Sequence, residues 1–367
     1  MILFYNHFFG EFMEILLEEF YKTDLHLDKF HDRKVQIDNK SYQISGITKS
    51  GKTQLVKSYL LSHKKNSYLY MDCNDIRIDT EQLNNALNKF CQKNKIDILV
   101  LDNYKEGINF ANVSQLLITT QSKLDIPALE HIDLYPLDYE EFLAYEHKYD
   151  SSALNHFFQL GGLAMMHKIY ADERNIYLQS ILKNTLDDME FDILVLCAKL
   201  NSQKLSAFTI YERLKAKRKI SKDKLYKSFQ NLIEKKYIHQ LEKFDHKKAT
   251  KKLYLCDTSF KLALSLEKNF GRLFENMVFL ELIKKNKKVY YEDEIDFYLP
   301  QNDEIILCKP FADERRLFKK LENIEAFLFT HSIQKITIIT MTKEGSVAHP
   351  LSKVNIVSFD LWALGDY

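Results

Sequence analysis

The sequence predicts an α/β fold: a parallel sheet flanked by helices, then a small helical module closed by a hairpin, then a second α/β unit. Three observations carry this. Gly46-Ile47-Thr48-Lys49-Ser50-Gly51-Lys52-Thr53 has the form G-x-x-x-x-G-K-[ST], with the alternation of Tyr42 and Ile44 before it and helical spacing over 54–61 after it. Apolar runs at 96–101 and 115–118 end in Asp102 and in Thr119-Thr120, as buried parallel strands do when they deliver polar groups to a sheet edge. Beyond residue 187, three helical periods lead into two short strand patterns around a polar turn.

Composition sets the bounds. The 367 residues are enough for two or three domains. A hydrophobic content of 46% with 28% charged residues is that of an ordinary globular protein. The net charge is +1, so any nucleic-acid surface has to come from local clustering. The five cysteines are far apart and form no C-x-x-C pair, which predicts free thiols in a reducing cytosol. No apolar run reaches the roughly 18 residues a membrane span needs. Glu11, Glu14, Glu18 and Glu19 interrupt the apolar start before a signal peptide forms, so a cytoplasmic location is expected.

In chain order, residues 8–21 place Phe9, Phe12, Met13, Leu16, Leu17 and Phe20 at helical spacing, with glutamates between them. Residues 24–40 are a polar lead-in, and 1–40 is taken as one segment. The loop then binds phosphate by its backbone: glycines let successive N–H groups curl round one anion, and the helix N-terminus adds partial positive charge. Gly46, Ser50, Gly51, Lys52 and Thr53 form this expected ATP site. Lys52 reaches the β- and γ-phosphates, and the Thr53 hydroxyl goes to Mg²⁺. Residues 67–72 read as a second strand and 81–94 as a helix. Asp102, at the end of the next strand, is expected to hold the water shell of the Mg²⁺. Thr120 ends the following strand, where a sensor of the γ-phosphate would sit, although Thr is also simply favoured in strands.

The middle of the chain reads as a winged helix-turn-helix. Residues 187–200, 206–216 and 221–236 are helical, with Ser206 and Ser221 as caps, and strands follow at 237–244 and 252–256. From Lys204 to Lys252 there are sixteen Lys and Arg against five Asp and Glu. Such a local excess is the footprint of a phosphate-backbone partner. The third helix would enter the major groove of double-stranded DNA, with Lys222, Lys224 and Lys227 near phosphates and Lys247 and Lys248 on the wing. The alternative is a module that packs against domains or a protein partner with its lysines solvated.

Several segments together resemble a family of prokaryotic AAA-like ATPases related to the archaeal, signal-transducing class. They are His131 to Leu143 ("L-x-P-L-S-x-x-E-F"), Leu160-Gly161-Gly162-Leu163-Ala164 ("G-G-x-P", with Ala164 for proline), Lys252 to Thr258 ("K-x-Y-x-x-D") and Gly271 to Asn276 ("G-x-x-F-E-N"). Glu294-Ile295-Asp296-Phe297 and Leu307-Cys308-Lys309 continue the match. The resemblance implies an ATPase domain with helical lid over 41–185, a winged helix over 186–268 and a restriction-endonuclease-like domain over 269–367. It also implies two departures. ATPases of the AAA type place Glu after the strand-ending Asp, to orient the attacking water. This chain has Asn103, which cannot take a proton, with Glu106 three residues on as a substitute. Nucleases of the C-terminal fold hold Mg²⁺ with an Asp and an E-x-K pair. Here Glu275, Asp296 and Lys309 match, but Leu307 stands for the acidic member, so an inactive domain is expected. The expected protein is an ATP- and Mg²⁺-dependent switch with slow or absent hydrolysis that contacts DNA. The alternatives are an ATP-gated DNA nuclease and a protein-interaction scaffold without DNA binding.

Overall fold

The computed structural model describes residues 2–27, 32–147, 149, 152–285, 287–311 and 313–365, without the side chains of 2–11 and 314. It divides into two compact units, Met1–Leu134 and Tyr135–Tyr367.

The first unit opens with α1 (Ile2–Lys22). Its inner face is Met13, Leu16 and Leu17, which pack with Leu83, Leu87 and Phe90. Phe12, expected on that face, is exposed; the side chains of Phe9 and Glu11 lie outside the described residues. Five strands follow with two helices between them: β1 (Tyr42–Ser45), α2 (Lys52–Leu61), β2 (Tyr68–Asp72), α3 (Thr80–Lys93), β3 (Ile98–Asp102), β4 (Gln115–Thr120) and β5 (Glu130–Asp133). The sheet runs β2-β3-β4-β1-β5 and every pair is parallel. Residues of alternate parity feed two cores. Leu69, Met71, Leu99, Leu101, Leu116 and Ile118 face α1 and α3. Tyr68, Ile98, Val100, Leu117 and Ile44 face Leu55, Val56 and Leu60 of α2. Strand β5 escapes sequence reading because it is a polar edge strand with no apolar alternation, Glu-His-Ile-Asp.

The second unit begins with α4 (Tyr139–Glu146), α5 (Ala153–Leu160) and α6 (Arg174–Thr185). Asp138 and Glu141 form a reciprocal capping box at the start of α4. Next come α7 (Asp188–Lys199), β6 (Gln203–Lys204), α8 (Ala207–Lys215), α9 (Lys222–Glu234), β7 (Ile238–Leu241) and β8 (Lys252–Leu255), the strands forming an antiparallel sheet in the order β6-β8-β7. Ser206 Oγ accepts from Thr209 N at 3.0 Å and Ser221 Oγ from Lys224 N at 3.3 Å, so both serines cap their helices. Then follow α10 (Thr258–Leu264), α11 (Phe270–Lys284), β9 (Tyr290–Glu292), β10 (Ile295–Leu299), β11 (Glu304–Cys308), α12 (Glu314–Thr330), β12 (Lys335–Thr340), β13 (Gly345–Val347), β14 (Lys353–Ser358) and α13 (Phe359–Leu364). The six strands run β13-β14-β12-β11-β10-β9, parallel through β11, β12 and β14 and antiparallel at both edges.

Residues 135–185, expected within the ATPase domain with its lid at 41–185, fall in the second unit. Aromatic packing, such as Phe158 against Phe274, and several polar bonds hold them there. Gly162 N donates to Asp257 Oδ2 at 2.7 Å, Tyr139 N to Glu281 Oε1 at 3.0 Å, and Lys284 Nζ to Leu137 O at 2.8 Å. No helix among the described residues is long and apolar enough to cross a membrane. All five cysteines are free and buried.

Candidate functional site

The loop between β1 and α2 has the geometry its residues dictate. Gly51 sits at φ 103°, open to glycine and strained for other residues, and it turns the chain into α2. A Cβ on Gly46 would come within 2.3 Å of Leu134 O, so only glycine lets β1 leave the sheet here. Lys52 is buried and folds back on the loop, its Nζ donating to Gly46 O at 2.7 Å and Ile47 O at 2.9 Å. Burial pulls its ammonium down to about 8, with the charge of Asp102 opposing. Ser50 Oγ is buried with no partner among the described residues, an orphaned polar atom inside the loop. Arg33, from the lead-in, donates to Ser50 O at 3.1 Å and is itself buried. Sequence reasoning missed this residue because the lead-in carries no motif.

Asp102, fully buried at the end of β3, gathers three hydroxyls. Thr53 Oγ1 donates to its Oδ2 at 2.7 Å, Tyr70 OH to the same oxygen at 2.7 Å, and Thr119 Oγ1 to Oδ1. Tyr70 comes from the neighbouring strand β2, and burial together with the Asp102 charge raises its phenol. Thr119 and Thr120 lie on opposite faces of β4. Thr119 shares the α2 face with Asp102, whereas Thr120 accepts from Gln43 Nε2 at 3.2 Å and donates to Ser122 O at 2.8 Å. The hydroxyl that reaches the carboxylate is thus Thr119, one residue before the expected sensor.

Asn103 adopts φ 54°, the left-handed region that Asn tolerates better than Glu. Its N–H donates to Thr119 Oγ1 at 2.8 Å and its Nδ2 to Asp72 Oδ1 at 2.9 Å. Glu106 is exposed in the loop beyond. The loop, Thr53, Asp102, Thr119 and Asn103 therefore converge at the C-terminal ends of adjacent parallel strands, where such sheets bind ligands. The donor set fits a polyphosphate with a divalent cation. Lys52 and the loop N–H groups would hold phosphate, while Thr53 and Asp102 supply the oxygens Mg²⁺ prefers.

The second cluster lies within the other unit. Glu275 of α11 accepts from Lys252 Nζ at 3.0 Å and from Tyr254 OH at 2.7 Å. Burial raises its carboxyl, Asp296 adds to the rise, and Lys252 opposes it. Asp296 accepts from Cys308 N at 2.8 Å, and Lys309 Nζ stands 3.8 Å from it. Leu307 is fully buried in the apolar layer under α12 with Leu317 and Leu321, so its position cannot present a ligand to this cluster. Lys252, a hairpin lysine, is the cation facing Glu275. Among the described residues no group of three or more His, Cys, Asp and Glu is placed to hold a metal.

Around α8, α9 and the β7–β8 hairpin the basic excess is partly consumed. Lys204 and Lys243 pair with Asp293, Lys235 with Glu190, Lys251 with Glu242 and Arg218 with Asp192. Lys222, Lys224, Lys227, Lys247 and Lys248 are exposed, and none pairs with a carboxylate among the described residues. Lys222 Nζ lies over the rings of Phe208 and Tyr226, at 6.0 and 5.7 Å from their centroids.

No family model matches the chain. It is 26% identical over 395 aligned positions to an uncharacterized protein of Methanocaldococcus jannaschii, with 89% of each chain covered. Among solved structures it is similar to the Aeropyrum pernix Orc1 protein in complex with DNA, at TM-score 0.34 and 14% identity, covering 62% of this chain and 86% of that one. A likeness of that size says nothing about ligands.

Proposed function

We propose that this protein binds ATP with Mg²⁺ at the loop of residues 46–53 and acts as a nucleotide-dependent switch with slow hydrolysis. The observation that carries the reading is the convergence of Lys52, Thr53 and Asp102, with Thr53 and Asp102 joined at 2.7 Å. A buried lysine donating to two carbonyls, beside a buried serine hydroxyl with no partner among the described residues, is a cationic site preorganised for an anion. Slow turnover follows from Asn103, an amide where chemistry calls for a proton acceptor. The test is equilibrium titration of the purified chain with ATP and Mg²⁺. The expected result is saturable binding that Lys52→Ala abolishes; equal binding by both proteins would end the reading.

The module of α7, α8, α9 and the β7–β8 hairpin supports a winged helix that contacts double-stranded DNA, since its unpaired lysines cluster on α9 and the wing. For the C-terminal unit we favour a packing or binding role for an endonuclease-like fold over cleavage. Glu275 is committed to Lys252 and Tyr254, and Leu307 offers no carboxylate. A protein partner in place of DNA would show itself as negligible DNA affinity at physiological salt.

A further inference from the structure

Hydrolysis, however slow, needs a group that accepts a proton from water, and Asn103 has none to offer. Asp102, adjacent in the chain, is engaged by three hydroxyls, and Glu106, three residues on, is exposed to solvent. A different carboxylate is held at the site by the sheet. Asp72 ends β2 in register with Asp102, and it shares the sheet face of Tyr70 and Asp102. Adjacent strands in a sheet lie about 4.8 Å apart, so the register puts the two strand ends side by side. Asp72 is half-buried, and its two oxygens are used differently. Oδ1 accepts from Asn74 N at 3.0 Å and from Asn103 Nδ2 at 2.9 Å. Oδ2 makes no hydrogen bond or ion pair among the described residues.

The geometry points to Asp72 as the general base of ATP hydrolysis, with Asn103 as the residue that positions it. The left-handed backbone of Asn103 aims its amide across to β2, and that amide fixes one carboxylate oxygen while the other stays free to receive a proton. In the reaction the water oxygen bonds to the γ-phosphorus and the bond to the β–γ bridging oxygen breaks. The electron pair leaves with ADP, and the water proton passes to Asp72 Oδ2 and then to solvent. The step is redox-neutral and needs no further reactant. This rests on the ATP-binding reading above.

The test uses the full chain with Asp72→Asn, Asn103→Ala and the control Glu106→Gln. Asn at position 72 keeps an oxygen for both existing hydrogen bonds but cannot take a proton. Three quantities are read: ATP–Mg²⁺ affinity by titration, melting temperature without nucleotide, and single-turnover hydrolysis. Asp72→Asn is expected to bind ATP as the parent does and to melt at the same temperature. Its turnover is expected to fall by about 10²–10⁴-fold. Asn103→Ala loses part of the rate, and Glu106→Gln none. The inference is overturned if Asp72→Asn turns over within twofold of the parent. It is equally overturned if affinity and melting temperature fall together with the rate, or if the parent binds ATP and never hydrolyses it. Absence of ATP binding by the parent removes the nucleotide reading itself, a failure distinct from these.

Discussion

At the scale of the residue, Lys52 shows how a site is charged in advance of its ligand. Held near pKa 8 by burial, its ammonium is half neutral at that pH and regains its proton when a polyanion arrives. ATP binding at pH 8 to 9 should therefore take up a proton. Titration in buffers of different ionisation enthalpy measures this, and affinity should weaken as pH rises above 8. Lys52→Met, which removes the same ammonium, should lose binding as Lys52→Ala does. Asn103 makes a second point. Its φ of 54° costs a residue with an unbranched acidic side chain about 1–2 kcal/mol that Asn largely escapes. Asn103→Glu is expected to lower the melting temperature and to give no gain in turnover, because it also breaks the tether to Asp72.

At the scale of the element, helix α9 combines a buried stripe with a basic face. Leu225, Phe229 and Leu232 are buried, while Lys222, Lys224 and Lys227 stay in water. Ser221 caps its first turn, and Ser221→Ala should cost about 1 kcal/mol in denaturant unfolding. If α9 reaches DNA phosphates, each lysine contributes about 0.9 to the salt slope of log affinity. Replacing the three by Gln should flatten that slope by about three, with equal effect on unrelated sequences. A slope that does not change would place these lysines outside any DNA contact.

At the scale of the whole molecule, the second unit carries buried carboxylates that link distant stretches of chain. Glu281 of α11 receives the Tyr139 N–H at the start of α4, and burial pushes its carboxyl up to about 7, with Lys284 opposing. The folded state thus holds a proton that the unfolded chain releases near 4.5. Stability is therefore expected to fall as pH rises from about 4.5 through about 7, by about 3 kcal/mol in total for this group. Glu281→Gln keeps an acceptor for Tyr139 and should remove that part of the pH dependence, read by unfolding at pH 5 and pH 8. Asp257, raised by burial in the same way, adds in the same direction.

Much of this molecule is determined by local sequence. The loop from Gly46 to Thr53, the strand ending in Asp102 and the capped helices at Ser206 and Ser221 are each specified within a few residues. Fixed spacing along the backbone is enough to place an N–H, a hydroxyl or a cap. What sequence left open is set by pairing between distant strands. The parallel register of β2 with β3 brings Tyr70 and Asp72 beside Asp102. The faces of β4 direct Thr119 rather than Thr120 to that carboxylate, and the layer under α12 takes Leu307 out of reach of Glu275. Residues 135–185 join the second unit through Asp257 and Glu281, about 95 and 142 residues further on. A side chain's neighbours across a sheet depend on strand order and register, long-range choices made by burial of whole faces, and no short stretch of sequence encodes them.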